Sequence, residues 1–270
     1  MTLSLQQFKD IMENYAPAYL KESYDNVGLM VGDINSSITS ILIALDCTLE
    51  VIEEAIEKNC NLIVTHHPLL FLKPQSITTD TLLGRKIIKL IKNNINVYSC
   101  HTNLDIVKGG LNDIVTQLLG FTKFVVIESA AHHNSNEDEG IGRLVKLDDS
   151  CTLKELCESI KSKLNVSRVR YTGDLEMKID NVAIINGSGE DFFYAAMKKG
   201  ANCIITGDTT YHYVSDYKEM GLAIIDAGHF ETEWAPMKIV ANILDEKIKT
   251  LGYNNLIFIS EKCESPYKFI

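Results

Sequence analysis

No run of apolar residues in this chain reaches the ~18–20 needed to cross a bilayer. The N-terminus MTLSLQQFKDIMENYAPAYL also lacks the basic start and unbroken apolar stretch of a signal peptide. The expected location is the cytoplasm, without a membrane partner. Basic residues are in deficit, 26 Lys+Arg against 36 Asp+Glu, and the formal charge of -10 argues against a broad nucleic-acid-binding surface. No G-K-[ST] tripeptide occurs, which excludes a P-loop. Cysteine is not scarce, but Cys47, Cys60, Cys100, Cys151, Cys157, Cys203 and Cys263 form no CxxC pair and are odd in number. Buried free thiols are expected, not a disulfide framework.

What is present is ordinary globular material: 270 residues, 46% apolar and 23% charged, enough for one large domain or two small ones. Leu5 to Leu20 has a helical pattern with Pro17 marking a bend. From Ser37 a rhythm begins. SITSILIALDC reads as an apolar strand ending at Asp46, and TLEVIEEAIEKNC as an amphipathic helix with Thr48 as N-cap. NLIVTHHPLLF is then a second strand with a polar end, TLLGRKIIKLIKNNI a helix, NVYSCHTNLD a strand, and GGLNDIVTQLLG a helix. Short apolar strands alternating with helices imply a parallel or mixed α/β sheet.

The middle differs. VIESAAHHNSNEDEGIGRLVKL carries a polar stretch that reads as a hairpin or exposed loop, with the acidic, histidine-bearing segment from His132, His133 and Asn134 to Glu139 on solvated surface. The helix TLKELCESIKSKLN and an edge strand VSRVRYTGD follow. The strand–helix rhythm returns from Ile179, which suggests a first half at 1–123, a connecting segment at 124–180 and a second half at 181–270, with C-terminal residues packing back on the first half. AIEKNCNLIVTHH aligns with AMKKGANCIITGD, Thr65 falling on Thr206, and His101-x-x-x-Asp105 has its counterpart in His229-x-x-x-Glu233. Generic Ile/Val strands and Lys-rich helices would produce such a match as well as true repetition would.

Three polar clusters sit at the inferred carboxyl ends of strands: His66-His67, His101 with Asp105, and His229 with Glu231 and Glu233. Imidazoles and carboxylates together suit Zn, Mn, Fe and related divalent ions. Burying so many ionisable groups is costly unless a cation compensates them. The pair His66-His67 before Pro68 is expected just beyond its strand, where both rings converge. His229 and Glu233 share a face if their segment begins a helix, and Asp105 stands likewise to His101. Glu231 is left out as facing solvent. The Asn186-Gly187-Ser188-Gly189 turn lacks the third glycine of a dinucleotide fingerprint and reads as structural, with Glu190 and Asp191 complementing the helix that follows. Lys108-Gly109-Gly110 is a weak phosphate candidate, and Tyr24-Asp25-Asn26 reads as an Asx-type turn bordering the cleft.

SYDNVGLMVGD, IVTHHPLLF, SCHTNLD, the GSG turn and DAGHFETE, in this order and spacing, resemble the GTP cyclohydrolase 1 type 2 family, also called NIF-three-like proteins. The resemblance covers essentially the whole chain, in a minimal form without the inserted middle domain of longer members. It implies two interlocked α/β halves with mixed sheets around a di-metal centre at their interface, assembled as a toroidal homohexamer. Carried over by motif, two divalent ions per chain would be held by His66, His67, Asp105, His229 and Glu233. His101 falls outside that set and is expected either to move a proton as general acid or base, or to support Asp105. The activity implied is hydrolytic attack of water on the imidazole ring of a guanine nucleotide, with release of formate. A metal-binding adaptor without catalysis and a two-metal phosphoesterase remain the alternatives.

Overall fold

The computed structural model describes residues 2–130 and 136–270. Of the loop expected on solvated surface, His132 to Glu139, residues 132–135 lie outside the described residues; Glu139 at its end is buried, its carboxylate turned back to accept the Asn136 amide at 2.7 Å. The chain divides into two compact units. Residues 1–104 and 237–270 form the first, and residues 105–236 the second.

In the first unit α1 (Leu5–Tyr15) starts from a capping box in which Ser4 and Gln7 exchange hydrogen bonds. Then come β1 (Gly28–Val31), β2 (Ser40–Ala44), α2 (Leu49–Glu57), β3 (Leu62–Thr65), α3 (Leu82–Lys92), β4 (Asn96–Ser99) and α4 (Thr102–Ile106). Thr48 caps α2 as its position suggests, accepting from the Val51 amide at 3.1 Å. The sheet order is β1-β4-β3-β2 and then a strand from the far end of the chain. β2, β3 and β4 are parallel, whereas β1 runs antiparallel beside β4. Both faces of β2 and β3 are buried, which is why these strands are continuous apolar runs and do not alternate.

The second unit holds α5 (Leu111–Leu118), β5 (Val125–Ser129), β6 (Gly140–Thr152), α6 (Leu153–Leu164), β7 (Arg170–Thr172), β8 (Lys178–Ser188), α7 (Phe193–Lys198), β9 (Cys203–Gly207), α8 (Tyr211–Glu219) and β10 (Ala223–Asp226). Its sheet has the order β5-β6-β8-β9-β10-β7. The β8–β9 and β9–β10 pairs are parallel and the others antiparallel. Each unit is thus a mixed α/β sheet, and β3 and β9, aligned in the sequence, are each flanked by two parallel neighbours. The last elements are α9 (His229–Thr250) and β11 (Leu256–Ile259), the latter pairing parallel to β2.

The boundaries expected at 123/124 and 180/181 both fall inside the second unit. Segment 124–180 is no connector, because β5 and β6 extend the β8 edge as an antiparallel hairpin while β7 closes the β10 edge. The division instead runs at Leu104/Asp105 and at Pro236/Met237, and residues 237–270 are counted with the first unit through β11. Among the described residues no helix is long and apolar enough to cross a membrane. The cysteines are free, and five of the seven are buried; burial pushes the Cys47 thiol up to about 12.

Two buried charges organise the units from within. In the second, Arg143 is fully buried; its Nε donates to Asp113, and Nη1 donates to the carbonyls of Gly140 and Gly142 at 2.8 and 2.9 Å. Asp113 also accepts the Gly109 amide at 2.7 Å, so this pair anchors the start of α5 to β6. Arg143→Met leaves a buried, unpaired carboxylate and is expected to cost about 3–5 kcal/mol in denaturant unfolding. The double variant with Asp113→Asn should lose less, because it removes the charge and keeps an acceptor for Gly109.

In the first unit Glu54 accepts from Lys58 Nζ at 2.8 Å, the Glu261 amide at 2.9 Å and Ser260 Oγ at 2.5 Å, pinning the C-terminal tail to α2. Burial raises its pKa, but these three donors outweigh it and hold the carboxyl below its ordinary value of 4.5. A depressed folded-state pKa gives stability that is present above the ordinary value and lost as pH falls through the folded one. The thermal midpoint should therefore drop further in wild type than in Glu54→Gln between about pH 5 and pH 3.

Candidate metal centre

β3 ends at Thr65, and its hydroxyl donates to the His67 carbonyl at 2.8 Å, turning the chain so that both histidines stand just beyond the strand. Their ring centroids are 5.2 Å apart. β4 ends at Ser99 on the neighbouring strand, and His101 stands two residues beyond it, with centroids 5.1 Å from His66 and 5.8 Å from His67. One ring nitrogen from each of the three lies within 4.8 Å of the others, a grouping that could hold a metal ion. The parallel register of β3 and β4, Thr65 beside Ser99, is what brings together residues 34 apart in sequence.

Each of these rings is oriented through Nδ1. His66 Nδ1 meets the Cys100 carbonyl at 2.8 Å, His67 Nδ1 meets Asp46 at 2.9 Å, and His101 Nδ1 meets Asp25 at 2.8 Å. A carbonyl or ionised carboxylate can only accept, so Nδ1 carries the proton, and in the neutral ring Nε2 carries the lone pair a metal ion requires. Asp25 is held ionised. Burial raises its pKa, but bonds from His101 and from the Thr102 hydroxyl and amide hold it well below the usual carboxylate range. The donor chemistry fits a divalent cation of the Zn, Fe or Mn kind.

The second unit carries the remaining residues singled out by sequence. His229 begins α9, as the H-x-x-x-E spacing requires, and its Nε2 lies 2.9 Å from Glu233 Oε2 one turn later. That separation is close to the ~3 Å expected of two donors sharing one ion at ~2.1 Å; it is equally an i,i+4 ion pair when His229 is protonated. His229 Nδ1 meets Asp208 at 2.8 Å, the same carboxylate-on-Nδ1 device as in the first unit. Asp105 is buried in the same unit, and Asn186 Nδ2 donates to its Oδ1 at 2.8 Å and to Glu233 Oε1 at 3.5 Å. Asn112 fixes the backbone around them, donating to the Asp105 carbonyl and accepting the Asn186 amide.

The GSG turn has a structural task here. Gly187 has φ +59, and a Cβ there would overlap Glu233 Oε1. Its amide donates to Thr232 Oγ1 at 3.0 Å, and its carbonyl accepts from Thr206 Oγ1 at 3.2 Å. Thr206, next to last in β9, thus has the hydroxyl role near its strand end that Thr65 has at the end of β3. Glu190 does not serve its own helix; its carboxylate accepts from the amide and, at 2.7 Å, from the hydroxyl of Thr210, ahead of α8. Lys108 is engaged by Asp138 at 2.7 Å.

Asp25, Asp46, Asp208 and Asn186, which orient the site side chains, were not legible as such. Asp25 and Asp46 lie 76 and 21 residues from the rings they hold. The only sequence signals were the YDN turn and the polar strand ends.

Two mixed α/β units carrying oriented imidazoles and carboxylates beyond their strands define the class: a mixed α/β protein with side-chain groups that could hold a metal ion. The chain belongs to the Duf34/NIF3 family (NGG1p interacting factor 3), whose sequence profile matches residues 3–266. A Clostridium acetobutylicum relative named GTP cyclohydrolase 1 type 2 homolog is 54% identical over 269 residues, covering 100% of both chains. The crystal structure of a Staphylococcus aureus hypothetical protein superposes with TM-score 0.91 at 31% identity and complete coverage of both chains. That of a Bacillus cereus protein related to NIF3 gives 0.93 at 26%, again with 100% coverage of each.

Gly187→Ala is expected to cost roughly 1–3 kcal/mol through its left-handed backbone and, in addition, to displace Glu233. The check is paired: a lowered denaturation midpoint together with weaker uptake of divalent metal.

Proposed function

We propose that this protein is a metal-dependent hydrolase that binds two divalent ions on His66, His67, Asp105, His229 and Glu233. The observation that carries the reading is the set of strand-end imidazoles whose Nδ1 atoms are each held by an acceptor, a device that aims Nε2 at a cation. Such ions, when bound, supply activation of water near neutral pH. The chain's own residues do the rest. Asp46, Asp208 and the Cys100 carbonyl hold the ligand rings in register, and Asn186 fixes the Asp105 and Glu233 carboxylates by donating to both. His101, standing on Asp25, is placed to take a proton at Nε2 and return it to a leaving group, with the Asp25 carboxylate stabilising the imidazolium.

The substrate class proposed is a guanine nucleotide, opened at its imidazole ring with loss of formate, in line with the name carried by the 54%-identical Clostridium relative. The assembly proposed is a homo-oligomer, a hexamer by resemblance. The two-metal phosphoesterase reading uses the same residues and differs in product.

Elemental analysis of natively purified protein should give about two divalent ions per chain. His67→Ala and Glu233→Ala should lower that ratio while leaving the circular dichroism spectrum intact; unchanged metal content in both would overturn the ligand assignment. His101→Ala should keep its metal and lose roughly 100-fold or more in turnover of guanosine triphosphate to a formate-releasing product. Loss of metal in that variant would make His101 a ligand, and a metal-loaded wild type that releases neither formate nor phosphate would leave the adaptor reading.

A further inference from the structure

The segment YHYVSDYKE makes an unusual helix. α8 lies beside β10, yet none of its nine residues is buried, and Tyr211 at its start is 80% exposed. Natural interiors close-pack, so a helix this short normally settles onto its sheet with one apolar stripe. Here the stripe Tyr211, Val214, Ser215 and Lys218, spaced i, i+3, i+4, i+7, faces a cavity of about 370 Å³. The far wall is Arg170 and Tyr171 of β7, with Ile224 and Asp226 of β10. All of it lies within the second unit and shares no residue with the imidazole and carboxylate set above.

Charge and shape in this cavity are specific. In a chain of formal charge -10 it collects two cations, Arg170 and Lys218. Its one carboxylate is already engaged. Asp226 accepts from Arg170 Nη2, from Thr209 Oγ1 at 2.6 Å and from the Thr209 and Gly228 amides. That arrangement pins Arg170 by one edge, while its side chain remains largely exposed to the cavity side. Lys218 forms no ion pair among the described residues. Tyr211 adds a broad aromatic face, Val214 and Ile224 an apolar floor, and Tyr171, whose partner Ile225 faces the other side of the sheet, borders the cavity through its backbone. At one end the cavity reaches Asp226, the last residue of β10, and strand carboxyl ends are where open α/β sheets take ligands.

We infer that this cavity is a second ligand site, for a flat aromatic ring bearing a phosphate: a mononucleotide. The ring stacks on Tyr211, and the phosphate is held by the fork of Arg170 and the ammonium of Lys218. Its volume falls in the ~300–1,000 Å³ range of small-molecule pockets, near the lower end, which suits a mononucleotide better than a larger cofactor.

The probe is adenosine 5′-monophosphate, chosen because it is not the guanine substrate proposed for the metal centre. It is titrated calorimetrically into the full-length protein in the presence of EDTA, with adenosine and inorganic phosphate as fragments. One equivalent should bind, at least about tenfold more tightly than either fragment. Lys218→Glu and Tyr211→Ala, both on the exposed helix, should each weaken binding by about tenfold or more without moving the thermal midpoint, and His67→Ala should leave it unchanged. No saturable binding in the millimolar range, phosphate binding as tightly as the nucleotide, or affinity unaltered in both α8 variants would each overturn the assignment. Sensitivity to His67→Ala with none to Lys218→Glu would place the nucleotide at the metal centre instead.

Discussion

A proton on Nδ1, given to an acceptor that cannot give one back, is the interaction on which the candidate centre depends. Asp46, Asp25 and Asp208 take it from His67, His101 and His229, and the Cys100 carbonyl takes it from His66. Each acceptor is itself held by the backbone geometry of a strand end or turn. Thr102 and the Asn26 amide converge on Asp25, and the Asp208 backbone takes a left-handed turn with φ 49. The imidazoles are therefore oriented by the fold, and a metal ion arriving there meets donors already aimed. Pre-organisation of this kind lowers the conformational cost of binding.

The two units solve the same problem with different materials. Each has a central strand with parallel neighbours on both sides and a threonine at or next to its end, Thr65 bonding through its hydroxyl into the turn that follows and Thr206 to the Gly187 carbonyl of β8. Beyond that threonine the first unit has His66-His67 and the second Gly207-Asp208, so what is an imidazole pair in one becomes a close-packed glycine and an orienting carboxylate in the other. A Cβ at Gly207 would run into the His229 backbone, which explains why no side chain stands there. The strand–turn–helix frame is shared, while the chemistry is set by the two residues after that threonine. The adenylate-sized cavity beside α8 follows a different logic, a helix held off its sheet and not a strand end filled with ligands.

Much of this was readable in advance, for a physical reason. Apolar runs such as SILIA and LIVT are buried on both faces, and a residue's burial pattern is written directly in its side chain; the mixed α/β character followed from that alone. Thr48 and the H-x-x-x-E spacing at His229 were legible because capping and i,i+4 adjacency are local. The domain boundaries behaved otherwise. Segment 124–180 looked like a connector because its strands are short, partly polar and interrupted by a helix; only pairing with β8 and β10 shows that they are edges of the second sheet. The GSG turn read as structural, and only the tertiary contact of Gly187 with Glu233 shows what it cradles.

The sequence by itself determined the class of fold, the placing of His66, His67 and His101 just beyond their strands, the one-turn spacing of His229 and Glu233 on a helix, and, through its motifs, the family. These are matters of side-chain chemistry and short-range periodicity, which the chain carries wherever it goes. The tertiary structure decided the partners: which carboxylate orients which ring, that Asn186 bridges Asp105 and Glu233, that residues 237–270 are counted with the first unit, and that α8 leaves a cationic, tyrosine-lined cavity beside β10. Those facts join residues 20 to more than 200 positions apart, and strand register, not local spacing, brings such residues within hydrogen-bonding distance.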